Sequence, residues 1–247
     1  MRAEPAGTTT AARAFVWAGA LLFAASLVYF LHAYLTRFGD ITTGESRAAP
    51  VAWNVAAFAA FAVHHSLFAR TPVREWVRRR VPSGLERAAY VWSASLLFLF
   101  VAASWRPVAG VAWEADGIVL WIVRAMQVAA VWLTLWSAAV LDLRTLSGLV
   151  LERDAGDRTP VPRPAQVQPF KTRGPYGWVR HPIYSAWILL VFSASPMTGT
   201  RLTFAVVTSL YLLVAIPLEE RTIRAASGGA YDEYMGHVKW RLVPGLY

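Results

Sequence analysis

The sequence predicts an all-α, polytopic membrane helical bundle of about six transmembrane helices, the last two forming a C-terminal helical hairpin. Three observations predict it. The chain is 56% hydrophobic with mean hydropathy +0.40 and 12 Trp among its 247 residues, too apolar for a soluble domain of that length. Four stretches, Phe15 to Leu35, Val51 to Phe68, Ala88 to Trp105 and Ile118 to Leu141, each reach the roughly 18 residues that a helix needs to cross about 30 Å of hydrocarbon. Lys and Arg concentrate in alternate segments between these stretches, as the positive-inside rule requires.

The first stretch is a true span and not a cleaved signal, because no A-x-A-like site follows it at a suitable distance. It carries His32 near its far end, and Asp40 to Gly44 has the turn chemistry of an outer loop. The second span ends in His64-His65-Ser66. Adjacent helical residues lie about 100° apart, so one of these histidines faces the bundle while the other faces elsewhere. Arg74 to Arg80, with Trp76 and Val77 among the arginines, reads as a short amphipathic helix on the membrane surface. The third span, rich in Ser, Phe and Leu, is scaffold. The fourth contains Arg124 and Gln127 one turn apart, with Arg124 near enough to the outer end to snorkel.

Residues Leu151 to Lys171 combine Pro and charge without periodicity and read as a loop. A connection of about forty residues between spans carries a site or covers one. The last two apolar runs, Ile183 to Ser195 and Leu202 to Leu218, are shorter than the others and are divided by Pro196 and Gly199. The charge rule places both termini and the segments Ala69 to Arg87 and Asp142 to His181 in the cytoplasm, with the chain integral to the cell inner membrane. The formal charge of +9 therefore orients the chain and meets anionic headgroups; the lipid bilayer, not nucleic acid, is its partner, and nothing predicts a protein partner. With no cysteine, disulfides, thiolate nucleophiles and Cys-based metal sites are excluded, and no other metal-ligand set is predicted.

The segment Gly174-Pro175-Tyr176-Gly177-Trp178-Val179-Arg180-His181-Pro182-Ile183-Tyr184 stands apart from this apolar background. Such a polar cluster at a membrane boundary is costly unless it holds something charged. Pro182 suits the first turn of a helix, which puts His181 at the helix start and Arg180 just outside. The unpaired N–H groups there, with Arg180 or His181, suit a carboxylate. Glu219 and Glu220 end the last span on the same side, where an acid complements a cation. Tyr231 and Tyr234 share a helical face and are placed to close over a pocket. Each feature has a plainer reading: a basic juxtamembrane pair, solvated helix-end acids, or a Glu220–Arg224 pair at i+4. A haem held by two histidines is a further alternative, with His64 and His181 the better-matched pair in depth.

Taken together, Gly174-Pro175-Tyr176, Arg180-His181-Pro182-x-Tyr184, Glu219-Glu220, Gly228-x-x-Tyr231-x-x-Tyr234 and Pro244 resemble the isoprenylcysteine carboxyl methyltransferase and phospholipid methyltransferase superfamily. The resemblance covers Gln168 to the C-terminus. His65-Ser66-Leu67 and Pro196-Met197-Thr198 are closer to its NnrU-like and methanethiol S-methyltransferase branches. The resemblance implies a membrane methyltransferase using S-adenosyl-L-methionine, with residues 1–141 a four-helix scaffold and residues 142–247 a cofactor-binding core in a single integral-membrane domain. It implies that Tyr176, Arg180, His181, Pro182, Ile183, Tyr184 and Glu219 line the cofactor site, with Gln168, Pro169, Phe170, Lys171, Tyr231 and Tyr234 beside them. Arg180, Glu220 and His65 are the expected catalytic residues, with His64, His65 or Glu220 as the base toward a thiol. Prenylcysteine enzymes of the superfamily carry an arginine one turn before the glutamate to grip a substrate carboxylate. Ala215 stands there in this chain, which counts against carboxyl methylation; Ala186, where glycine is usual, is a packing change. A small or lipophilic acceptor is expected, thiol before amine or lipid, and carboxylate last. The alternative is a non-catalytic NnrU-like membrane protein that binds a small ligand or haem.

Overall fold

A computed structural model of the protein describes residues 10–44, 46–68, 71–82, 84–141, 147, 149 and 172–247. In chain order the elements are α1 (Thr10–Leu35), α2 (Ala48–Phe68), α3 (Thr71–Arg78), α4 (Glu86–Ser104), β1 (Val111–Trp113), α5 (Gly117–Leu141), a 3-10 turn (Gly174–Gly177), α6 (Pro182–Phe192), β2 (Met197–Thr198), α7 (Gly199–Ala226) and α8 (Ala230–His237). Five of these helices, α1, α2, α4, α5 and α7, are long and apolar enough to cross a membrane. The protein is an all-α integral-membrane protein.

The chain forms two compact units. The first contains α1 to α4. Phe30, Tyr34, Phe38, Phe98 and Trp105 are buried aromatics of its core, together with Val101, and the Phe30 and Phe98 ring centroids are 5.4 Å apart. α1 approaches α4 closely at Gly19, where a Cβ would stand 2.9 Å from the Trp92 ring. The short α3 fulfils the expectation of a helix in the Arg74 to Arg80 stretch.

The second unit contains β1, β2, α5, α6, α7 and α8. α6 and α7 form the expected antiparallel hairpin, tied near its middle by Trp187 Nε1 donating to Thr208 Oγ1 at 3.0 Å. Its two legs are unlike. α6 has 11 residues and rises only about 17 Å, whereas α7 has 28 residues and rises about 42 Å. The expected run Leu202 to Leu218 is thus too short: the helix begins at Gly199 and continues past Pro217 to Ala226, into charged sequence that hydropathy does not register.

Irregular backbone from Ser193 to Pro196 and the short strand β2 complete the short leg. Irregular backbone is tolerated at membrane depth only where protein covers and pairs it. Ser193, Ala194, Met197 and Thr198 are buried here. β2 pairs antiparallel with β1, Ala115 N–H donates to Ser195 Oγ at 2.8 Å, and Gly199 N–H donates to Gly110 O at 2.7 Å. Arg201, 4% exposed, turns its guanidinium onto Pro196 O at 2.8 Å. Arg124, by contrast, is exposed on α5.

Candidate functional site

The approximately 30 Å of a hydrocarbon core uses about 20 residues of a helix. The last turns of α7, from Glu219 onward, therefore stand at the headgroup boundary or beyond it. There they meet the start of α6 and the C-terminal tail. The Gly174–Gly177 turn carries Pro175 and Tyr176 into the interior, and Pro182 is buried as the first residue of α6, as its missing N–H allows. His181 is the residue before that helix and is 8% exposed.

Glu220 is the hub. It is 4% exposed, and its Oε1 accepts from Arg180 Nε at 2.8 Å, lies 3.2 Å from His181 Nε2 and accepts from Tyr231 Oη at 3.4 Å. Its Oε2 accepts from Arg241 Nε at 3.0 Å. One carboxylate therefore joins α6, α7, α8 and the tail. The Glu220–Arg224 pair of the plainer reading does not form; Arg224 Nε instead meets Asp232 Oδ1 at 2.7 Å. Arg180 is equally committed, with Nη1 donating to Val238 O at 2.9 Å and Lys239 O at 2.6 Å. The backbone joins in as Arg180 N–H donates to Trp240 O and His181 N–H to Arg241 O, both at 2.9 Å. Residues 238–242 are thus strapped across the start of α6.

Glu219 has the opposite situation. One residue on, a helix turns by about 100°, so the two neighbouring acids leave α7 on different faces. The Glu219 side chain is 44% exposed; its Oε2 accepts from Tyr184 Oη at 2.9 Å and lies 4.0 Å from His181 Nδ1. The His181 and Tyr184 rings are nearly parallel, 4° apart with centroids separated by 5.4 Å. Burial lowers the His181 pKa from its ordinary value; the adjacent Glu219 and Glu220 pull it the other way and Arg180 adds to the lowering. A neutral imidazole that donates from Nε2 to Glu220 keeps its Nδ1 lone pair turned toward Glu219. Two acceptors 4.0 Å apart, beside two aromatic faces, suit a small organic cation.

Tyr231 and Tyr234 are buried, with rings 5.6 Å apart, and Tyr234 Oη donates to Tyr176 O at 2.8 Å. Burial pushes the Tyr176 and Tyr231 hydroxyls up and that of Tyr234 to about 12, so all three are protonated at neutral pH. Ile183 is half-buried on the first turn of α6. The structure thus brings together Tyr176, Arg180, His181, Pro182, Ile183, Tyr184, Glu219, Glu220, Tyr231 and Tyr234. Gln168, Pro169, Phe170 and Lys171 lie outside the described residues. His65 belongs to the first unit, where its Nδ1 lies 2.6 Å from Tyr90 Oη, and the Tyr90 ring is parallel to that of His64. Arg241 and Tyr90 were not among the expected residues. Arg241 reads in sequence as a solvated tail charge, and Tyr90 as part of a scaffold span.

Comparison with known proteins supplies the family. The chain is 35% identical to methanethiol S-methyltransferase 1 of Bradyrhizobium diazoefficiens over 208 residues, covering 83% of this chain and 70% of the relative. It is 32% identical to methanethiol S-methyltransferase of Crocosphaera subtropica over 209 residues, covering 83% and 79%. The chain belongs to the methanethiol S-methyltransferase family. It is an integral-membrane methyltransferase, and the resemblance read from its C-terminal motifs is borne out. A Nurim homolog of Drosophila melanogaster is a more distant relative, 24% identical over 186 residues. No protein-family model matches the chain, and no solved structure matches it.

Proposed function

We propose that this methanethiol S-methyltransferase family member binds S-adenosyl-L-methionine where α6 begins and transfers its methyl group to a small thiol, as the names of its relatives suggest. The observation that carries the reading is the contrast between the two glutamates. Glu220 is saturated by protein donors, while Glu219 is half-exposed, oriented by Tyr184, and faces the Nδ1 edge of His181. S-Adenosyl-L-methionine supplies a methyl group on a positively charged sulfur, together with an ammonium, and Glu219 and His181 Nδ1 would take the cationic end. The parallel His181 and Tyr184 rings offer a π face to positive charge. Tyr176, Pro182, Ile183, Tyr231 and Tyr234 line and brace the same place.

Methyl transfer to sulfur is a displacement, so the protein's task is alignment of nucleophile and methyl carbon. Arg180 and Glu220 serve that task by fixing His181 and the 238–242 strap. Ala215, one turn before Glu219, has no charge with which to grip an acceptor carboxylate, which favours a thiol. By the positive-inside rule, the basic flanks support a site on the cytoplasmic face of the inner membrane.

The test is binding of S-adenosyl-L-methionine and methyl transfer to methanethiol by purified protein carrying Glu219→Gln or His181→Ala. A charge-assisted contact at a half-exposed site accounts for about tenfold in affinity. The expected result is a loss of that size in each variant, and undiminished binding in both removes the assigned site.

A further inference from the structure

Beside the Glu220 hub, on the face of α7 away from Glu219, lies a recess of about 280 Å³ lined by Pro217, Glu220, Arg221, Arg224, Met235 and Arg241. Helical spacing puts Pro217, Arg221 and Arg224 on one stripe of α7. The tail supplies Arg241 from across the recess, and Met235 comes from α8. Glu219 is not part of the lining. The recess is therefore separate from the place proposed above for the cationic cofactor, and its own chemistry has the opposite sign.

Three arginines line it against one carboxylate, and that carboxylate is already bound by Arg180. With Asp232 set against Arg224, two positive charges remain in excess. Two of the arginines are held in place: Arg224 by Asp232 at 2.7 Å, and Arg241 by Glu220 at 3.0 Å and the Tyr247 hydroxyl at 3.2 Å. A guanidinium has five N–H donors, so an Arg bound through Nε keeps others for a ligand. Guanidiniums match the tetrahedral oxygens of phosphate in charge and in fork geometry. A water occupies about 30 Å³, so the recess has room for a phosphate group with its ester substituents.

Depth decides the source. Leu218, 46% exposed, ends the apolar surface of α7, and Arg221 follows within one turn. Phospholipid phosphates lie at that level of a bilayer. We infer that this arginine-walled recess binds a phosphate oxyanion, carried by the headgroup of an anionic phospholipid. The bound phosphate would contact Arg241, which holds Oε2 of Glu220, while Oε1 of the same carboxylate anchors His181.

The experiment uses the full chain in a neutral detergent and phosphate-free buffer, titrated with short-chain phosphatidylglycerol, with diacylglycerol of the same acyl length, or with inorganic phosphate. The thermal unfolding midpoint is the readout. Phosphatidylglycerol is expected to raise it saturably and diacylglycerol to leave it in place. At about one charged contact per arginine, Arg221→Gln weakens the response about fivefold and Arg221→Gln with Arg224→Gln about thirtyfold. S-Adenosylhomocysteine binding, measured on the same samples, is expected to be unchanged, which certifies the fold and separates this result from the cofactor reading. Arg221 makes none of the contacts described above, so the single variant decides if loss of the Arg224–Asp232 pair unsettles α8. Equal responses to phosphatidylglycerol and diacylglycerol, or a wild-type response from Arg221→Gln and the double variant, overturn the site. An equal shift from inorganic phosphate at the same concentration overturns the lipid as its source.

Discussion

Glu219 and Glu220 have the same side chain and the same nominal place at the end of a membrane helix, yet a turn of about 100° separates their fates. Glu220→Gln leaves the buried Arg180 and the half-buried Arg241 without a counter-charge. It is expected to cost about 3 kcal/mol, read as a lowered unfolding midpoint in detergent and a loosened tail in protease digestion. Glu219→Gln is expected to move stability by no more than about 0.5 kcal/mol, since its exposed charge is screened, and to act on ligand binding instead. A reversal of this order would dissolve the division of labour between the two acids. His181 adds a pH signature. Burial holds it neutral below its ordinary range, so on acidification the unfolded chain takes up the proton first, near pH ~6.5. Stability is therefore full above ~6.5 and declines as pH falls from there toward the lowered folded value. His181→Gln should lessen the fall of the unfolding midpoint as pH drops below ~6.5.

At the scale of elements, hydropathy made the first four spans legible, because transfer into hydrocarbon fixes where such helices lie. The expected Phe15–Leu35 and Ile118–Leu141, for example, correspond to Thr10–Leu35 and Gly117–Leu141. The end of α7 was less legible. Charged residues after Pro217 read as the end of a span, but helical hydrogen bonding carries on through Ala226 and lifts Glu219 and Glu220 to the start of α6. The polar members of the candidate site stood out against an apolar background. Arg241 and Tyr90 did not, because their contacts cross 21 and 25 residues and leave no local pattern. The β1–β2 pair was equally silent, being two and three residues long. It nevertheless seats the N-terminus of α7, where a Cβ on Gly199 would stand 2.7 Å from both Val108 O and Ala109 O. Neither atom can yield without moving backbone. Gly199→Ala is expected to cost about 1–3 kcal/mol, measured as a lower unfolding midpoint, with Gly236→Ala, where nothing lies within 4 Å, as the neutral control.

For the molecule as a whole, orientation in the bilayer is what links site to function. A sulfonium nucleoside is charged and does not cross hydrocarbon unaided, so its site must face the compartment that makes it. α7 is about 42 Å long against about 30 Å of hydrocarbon, and the β1–β2 pair packs at its start while the glutamates sit near its end. These two levels therefore lie on opposite sides of the membrane. The chain has no cysteine, so a single introduced thiol reports its own position without background. Asp116 is exposed at the β1 level and Ala225 is exposed at the end of α7. In intact spheroplasts an impermeant maleimide is expected to label Asp116→Cys at once and Ala225→Cys only after lysis. The opposite pattern would turn the arginine-rich end of α7 outward, break the positive-inside arrangement and separate the proposed site from its cofactor.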